Sequence, residues 1–101
     1  LEKITYTFPA TKNILRISHV GVVGSGDLEI IMEPSSHTQS EVTIRTGITG
    51  YKNTWDSVIQ RFFTQNDVSV KVKINDFGAT PGVVKLRLEQ ALEVSCHDQN
   101  M

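Results

Sequence analysis

Val68-Ser69-Val70-Lys71-Val72-Lys73-Ile74 alternates strictly between apolar and polar side chains. Only a strand with period two sends all four of its apolar residues to one side, so the segment reads as a β-strand buried on one face and wet on the other. Such a strand needs partners, and the chain offers several. Residues 3–8 alternate with Ile4, Tyr6 and Phe8 on one face before Pro9 ends the run. Glu41–Gly47 does the same with Val42 and Ile44, and residues 14–23 and 28–33 supply two further apolar arms. Glu33-Pro34-Ser35-Ser36-His37-Thr38-Gln39-Ser40 is polar and turn-rich and reads as a loop.

The period changes on either side of residues 68–74. Trp55, Val58, Ile59, Phe62 and Phe63 recur at helical spacing after a candidate N-cap at Asn53 or Thr54. Their spacing suits core packing better than a base-stacking platform. Downstream, Asn75-Asp76-Phe77-Gly78-Ala79 reads as a loop, and Thr80-Pro81 as an N-cap followed by a first helical residue. Val84, Leu88, Ala91 and Leu92 continue at helical spacing, and the stripe stops where its next position becomes Ser95. Val84, Leu86 and Leu88 also alternate, so a strand over 83–88 competes. The cap and the periodicity through Leu92 favour a helix over about 80–93. The expected class is α+β: an antiparallel or mixed sheet of four to five strands with two helices on one face. Residues 1–101 are expected to form a single domain, with a disordered tail at 96–101.

Composition narrows the function classes. The net charge is −1, and the ten lysines and arginines are scattered, so no electrostatic footprint for nucleic acid or an anionic membrane is present. Hydrophobic content of 39% and charged content of 21% are those of an ordinary globular chain, and no apolar run approaches a membrane span. No basic segment followed by an apolar stretch opens the sequence, and the lone Cys96 has no partner for an internal disulfide. A reducing, cytoplasmic setting is the expectation.

Between the two apolar arms lies Val20-Gly21-Val22-Val23-Gly24-Ser25-Gly26-Asp27-Leu28-Glu29-Ile30. Strand, tight Gly-Ser-Gly-Asp turn and strand is the direct reading, with glycines on both sides of Ser25 free to take positive φ. A serine at a turn tip suits modification by another enzyme, and it suits an ordinary turn equally well. Nucleophilic chemistry of its own fits poorly. The hydrolase elbow needs glycine two residues to each side, and those positions hold Val23 and Asp27. His19 and Asp27 are close enough in sequence for a triad-like arrangement to stay open on paper. His19, His37 and His97 make no metal-ligand spacing. Cys96-His97-Asp98 stands alone in the tail, and a solvated chain end explains it. Asp76-Phe77-Gly78 matches a kinase tripeptide without the rest of a kinase. Gly78-Ala79-Thr80-Pro81-Gly82 before a helix reads as a loop and cap rather than a phosphate cradle, and Gly82 in the first turn leaves room for a close approach.

Two segments together resemble one family. Gly21-Val22-Val23-Gly24-Ser25-Gly26-Asp27-Leu28-Glu29 and Asp76-Phe77-Gly78-Ala79-Thr80-Pro81-Gly82-Val83, followed by Arg87-Leu88-Glu89-Gln90, are similar to the acyl carrier (delta) subunits of malonate decarboxylase. The resemblance spans roughly Ile4 to Glu93, and citrate lyase acyl carriers look like more distant relatives. It implies a non-catalytic carrier in which Ser25 bears 2′-(5″-phosphoribosyl)-3′-dephospho-coenzyme A through a phosphodiester. The thiol of that arm would hold acetyl or malonyl. The implied partners are a malonyl/acetyl transferase subunit, carboxylase-like decarboxylase subunits and a prosthetic-group transferase. Gly24 and Gly26 would keep bulk away from the attachment point. Asp27 would help position the loading enzyme or a metal-bound phosphate, with an Asx turn as the simpler role. The resemblance gives the Asp76–Gly82 loop no chemical role; docking to partner subunits is the hypothesis for it. The alternative is a small α+β interaction module without a covalent cofactor.

Overall fold

A computed structural model describes residues 1–22, 24, 26–35 and 38–96. They form β1 (Glu2–Pro9), β2 (Ser18–Gly21), β3 (Leu28–Pro34), β4 (Gln39–Thr46), α1 (Lys52–Gln65), β5 (Val70–Asp76) and α2 (Pro81–Cys96). The strands make one mixed sheet in the order β1-β4-β5-β3-β2. The α+β class, the five strands and the two helices agree with the sequence pattern.

The alternating strand β5 lies at the centre of the sheet. It pairs antiparallel with β3 and parallel with β4. A parallel pair cannot be joined by a hairpin, and α1 supplies the crossover from β4 to β5. Val70, Val72 and Ile74 of β5 share one face with Leu28, Ile30 and Met32 of β3 and with Val42 and Ile44 of β4, all almost wholly buried. Trp55, Ile59 and Phe62 of α1 and Val84, Leu88 and Ala91 of α2 complete the same core. Both helices therefore cover one face. The other face is polar, with Lys71 beside Glu33 and Glu41, and Lys73 beside Thr43. At the β1 edge, Phe8 stacks on Phe63 of α1 with ring centroids 4.6 Å apart, and the Tyr6 hydroxyl donates to Asp56.

Several boundaries differ from the sequence reading: β1 gains a residue at each end, and β5 takes Asn75 and Asp76 from the expected loop while Val68 and Ser69 fall outside it. The arm expected over 14–23 is a strand only over Ser18–Gly21. The preceding residues bridge elsewhere: Asn13 pairs with Ser69, and the Leu15 N–H donates to the Ser95 carbonyl. The loop expected over 33–40 is shorter, because β3 runs through Pro34 and β4 begins at Gln39. Helix α1 begins at Lys52, ahead of the expected caps Asn53 and Thr54. Tyr51 is its N-cap, with no side-chain cap bond, and its carbonyl accepts from the Trp55 N–H at 3.0 Å. A Lys52–Asp56 ion pair at 3.2 Å supports that first turn.

Helix α2 is a helix and not a strand, and Thr80 does cap it, its hydroxyl oxygen accepting from the Val83 N–H at 3.3 Å. It runs to Cys96, past the expected end, because Ser95 continues the buried stripe. The Ser95 hydroxyl donates to Ser18 Oγ, whose own proton goes to the Ala91 carbonyl, so the buried pair is satisfied. Residues 97–101, most of the expected disordered tail, lie outside the described residues.

The central position of β5 gives a direct test. Ile74→Ala is expected to lower unfolding free energy by about 2–5 kcal/mol. Lys73→Ala, on the open face, is expected to change it by less than about 0.5 kcal/mol. Urea denaturation of both variants checks the assignment of faces.

Candidate functional site

The β2–β3 connection is longer than a tetrapeptide tip. The antiparallel register pairs Gly21 with Glu29, so residues 22–27 lie outside the paired strands. Gly21 is required at its end. Its φ is +99°, and a Cβ there would sit 2.0 Å from the Leu28 carbonyl oxygen across the hairpin. Ser25 and Val23 lie outside the described residues, whereas Gly24, Gly26 and Asp27 are described. Gly26 takes φ +80°, and a Cβ at Gly24 or Gly26 would meet nothing within 4 Å. The side-chain directions of both glycines are therefore open.

What holds this turn comes from far along the chain. The Gly26 N–H donates to the Phe77 carbonyl at 2.8 Å, and the Phe77 N–H donates to the Asp27 carbonyl at 2.8 Å. The two motifs that looked unrelated in sequence thus meet as a two-bond backbone clasp. Asp76 prepares the Phe77 side. Its buried carboxylate accepts from the Thr46 hydroxyl at 2.8 Å, from the Gly78 N–H at 3.2 Å and from the Ala79 N–H at 2.9 Å. Those bonds fold the chain back directly after β5. Gly78, at φ +101°, completes the bend in a conformation side chains rarely adopt.

Asp27 has a second, ionic anchor. Arg87 of α2 donates through both Nε (3.3 Å) and Nη2 (2.8 Å) to its two carboxylate oxygens, and the Leu28 N–H donates to Oδ1 at 2.7 Å. The Asx turn expected at Asp27 gives way to this fork. The Arg87 guanidinium, with the Leu28 N–H second, holds the Asp27 carboxyl below its ordinary range. The pairing therefore adds stability above the unfolded-state carboxyl value and loses it as the pH falls through the lower folded-state value.

The remaining candidates do not converge on the turn. His19 pairs with Glu29 at 2.8 Å, and Glu29 also accepts from Asn75 at 2.8 Å. His19 and Asp27 thus each have another partner, and Ser25, the third member of the triad considered, lies outside the described residues. Cys96 is exposed at the end of α2, while His97 and Asp98 lie outside the described residues. Trp55 and Phe62 are core residues. Among the described residues, no helix is long and apolar enough to cross a membrane.

Comparison with known proteins agrees with this geometry. The family model for the malonate decarboxylase delta subunit (MdcD) matches residues 16–95. The chain belongs to that family. A malonate decarboxylase acyl carrier protein of Pseudomonas savastanoi pv. phaseolicola is 41% identical over 99 residues, covering 97% of this chain and 100% of its own. One from Azotobacter vinelandii is 42% identical over 94 residues, covering 92% and 95%. Among solved structures, a chain from the crystal structure of a Pseudomonas malonate decarboxylase hetero-tetramer in complex with malonate superposes with a TM-score of 0.87. It shares 39% identity and covers 93% of this chain and 98% of its own. The family named from two sequence motifs is the family found, and those motifs are the two sides of the clasp. Arg87 is the residue to which sequence reasoning assigns no role: it follows the second motif, and nothing local ties it to Asp27.

Arg87→Gln is expected to return the Asp27 carboxyl toward its ordinary value of about 3.9. A carboxyl-carbon NMR titration of wild type and variant reads this directly; an unchanged Asp27 midpoint would contradict the pairing.

Proposed function

We propose that this chain is the acyl carrier subunit of a malonate decarboxylase and that Ser25 bears the 2′-(5″-phosphoribosyl)-3′-dephospho-coenzyme A arm through a phosphodiester. The observation that carries the reading is the clasped, open-flanked turn, found in a chain of this family. A carrier must expose one hydroxyl to a loading enzyme and then leave the attached group room to move. The space beside Gly24 and Gly26 meets the second need. The backbone bonds from Phe77 and the Arg87 fork on Asp27 serve the first, by fixing the two residues that follow Ser25.

When bound, the arm supplies a thiol that holds an acyl group as a thioester, a form in which the α-carbon more readily becomes a carbanion. The chain's own residues do no bond chemistry in this reading. They present the attachment point, and tethering raises the local concentration of the acyl group at successive active sites. The proposed partners are a prosthetic-group transferase, a subunit exchanging acetyl for malonyl, and carboxylase-like subunits that release carbon dioxide. The proposed compartment is the cytoplasm. With a net charge of −1, docking to these partners is expected to depend only weakly on salt.

Intact mass of the chain co-expressed with prosthetic-group synthesis and transfer enzymes tests the assignment. Wild type is expected to gain the mass of one phosphoribosyl-dephospho-coenzyme A group, and Ser25→Ala none. An unmodified wild type, with a transferase active on a known carrier, would contradict it and leave a plain interaction module.

A further inference from the structure

The carboxyl ends of β4 and β5, the parallel pair of the sheet, open onto a groove lined by Gly24, Arg45, Gly47, Ile48, Asn75 and Phe77. Gly24 immediately precedes Ser25, so this groove reaches to within one residue of the proposed attachment point. Crevices outside the carboxyl ends of parallel strands are favoured ligand sites in sheets with crossover helices.

Two features of the groove have no use in the fold. The Arg45 side chain is exposed and makes no ion pair or hydrogen bond with any described residue. Directly across the β1–β4 pair stands Lys3, a second cation without a described partner. Like charges opposite one another on a sheet are unfavourable, and among the described residues no acid forms an ion pair with either. Asn75, beside Arg45 on β5, gives its side chain to Glu29, and Glu29 is shared with His19. Asp76 is turned inward to Thr46 and its own loop amides.

The second feature is Phe77. Its backbone N–H and carbonyl are both committed to the turn, which fixes its position relative to Gly26 and Asp27, yet the residue is 38% exposed. An exposed aromatic ring, an unpaired guanidinium and a neighbouring ammonium beside an attachment serine suit one chemistry: a phosphorylated nucleotide. Guanidinium forks match phosphate oxygens, and aromatic faces accept bases of any identity.

We propose that this groove seats the tethered nucleotide end of the prosthetic arm, with Arg45 and Lys3 facing its phosphate anions and the Phe77 ring facing its base. The proposal rests on the carrier reading of Ser25. The consequence is a division of the arm. The nucleotide half stays against the protein, and only the thiol-bearing half swings between partner active sites. A shorter free tether raises effective concentration at sites within its reach.

Amide and arginine side-chain NMR spectra of the ¹⁵N-labelled chain, before and after loading, test this, with loading verified by intact mass. The expected changes extend from Gly24, Gly26 and Asp27 to Gly47, Ile48, Phe77 and Arg45 Nε. In Lys3→Gln/Arg45→Gln, still loaded, the Gly47 and Ile48 changes are expected to be lost while those at Gly24 and Gly26 remain. Loaded chain whose changes stop at residues 24–27 would overturn the seating alone. Changes centred instead on Thr54, Trp55 and Val58, which line a pocket of ≈ 260 Å³ between α1 and the β5–α2 loop, would also overturn it. A chain that never loads would overturn the carrier reading, and the seating with it.

Discussion

Asp76 stands at the end of the central strand, and its carboxylate takes three hydrogen bonds from Thr46, Gly78 and Ala79. A buried carboxylate without such donors would be costly. With them, it ties the end of β4 to the end of β5 and forces the chain to turn after Asp76. That turn puts both backbone groups of Phe77 against Gly26 and Asp27. The β2–β3 connection, too long to be a self-sufficient hairpin tip, borrows its shape from this neighbour. Arg87 adds a second restraint from α2, which itself packs on β2 and β3. Sheet, helix and loop thus act together on one short stretch of backbone.

The layers of the fold were legible because they follow from periodicity. The alternation at residues 68–74, the helical stripe from Trp55 to Phe63 and the Thr80-Pro81 cap each have a local physical cause. Strand order was not legible, because nothing in β5 alone says that its neighbours are β4 in parallel and β3 in antiparallel. The start of α1 was missed because its N-cap, Tyr51, lacks a capping side chain, whereas Asn53 and Thr54 carry the usual ones. The end of α2 was missed because Ser95 reads as polar until its partner Ser18, on another element, is known.

The site followed the same division. Gly-Ser-Gly-Asp announced a turn with an addressable serine, and the Asp-Phe-Gly-Ala-Thr-Pro-Gly run announced a loop and a helix start. That each exists to hold the other is a tertiary fact, spanning about fifty residues of chain. Asp27 and Arg87 are sixty residues apart in sequence and form a forked ion pair in space. Motif resemblance found both partners without stating the contact. On the proposed reading, an attachment turn has to be open beside its serine and held in place, and here the glycines supply the first locally while Phe77 and Arg87 supply the second from far along the chain.

The claim that loading depends on a turn fixed from outside is tested most directly by transferase kinetics on Asp27→Asn, Arg87→Gln and the double variant, each shown to be folded. Each single substitution is expected to slow attachment at Ser25. The double variant is expected to be no slower than the slower single one, because both remove the same pair. Attachment at the wild-type rate in all three would contradict the claim.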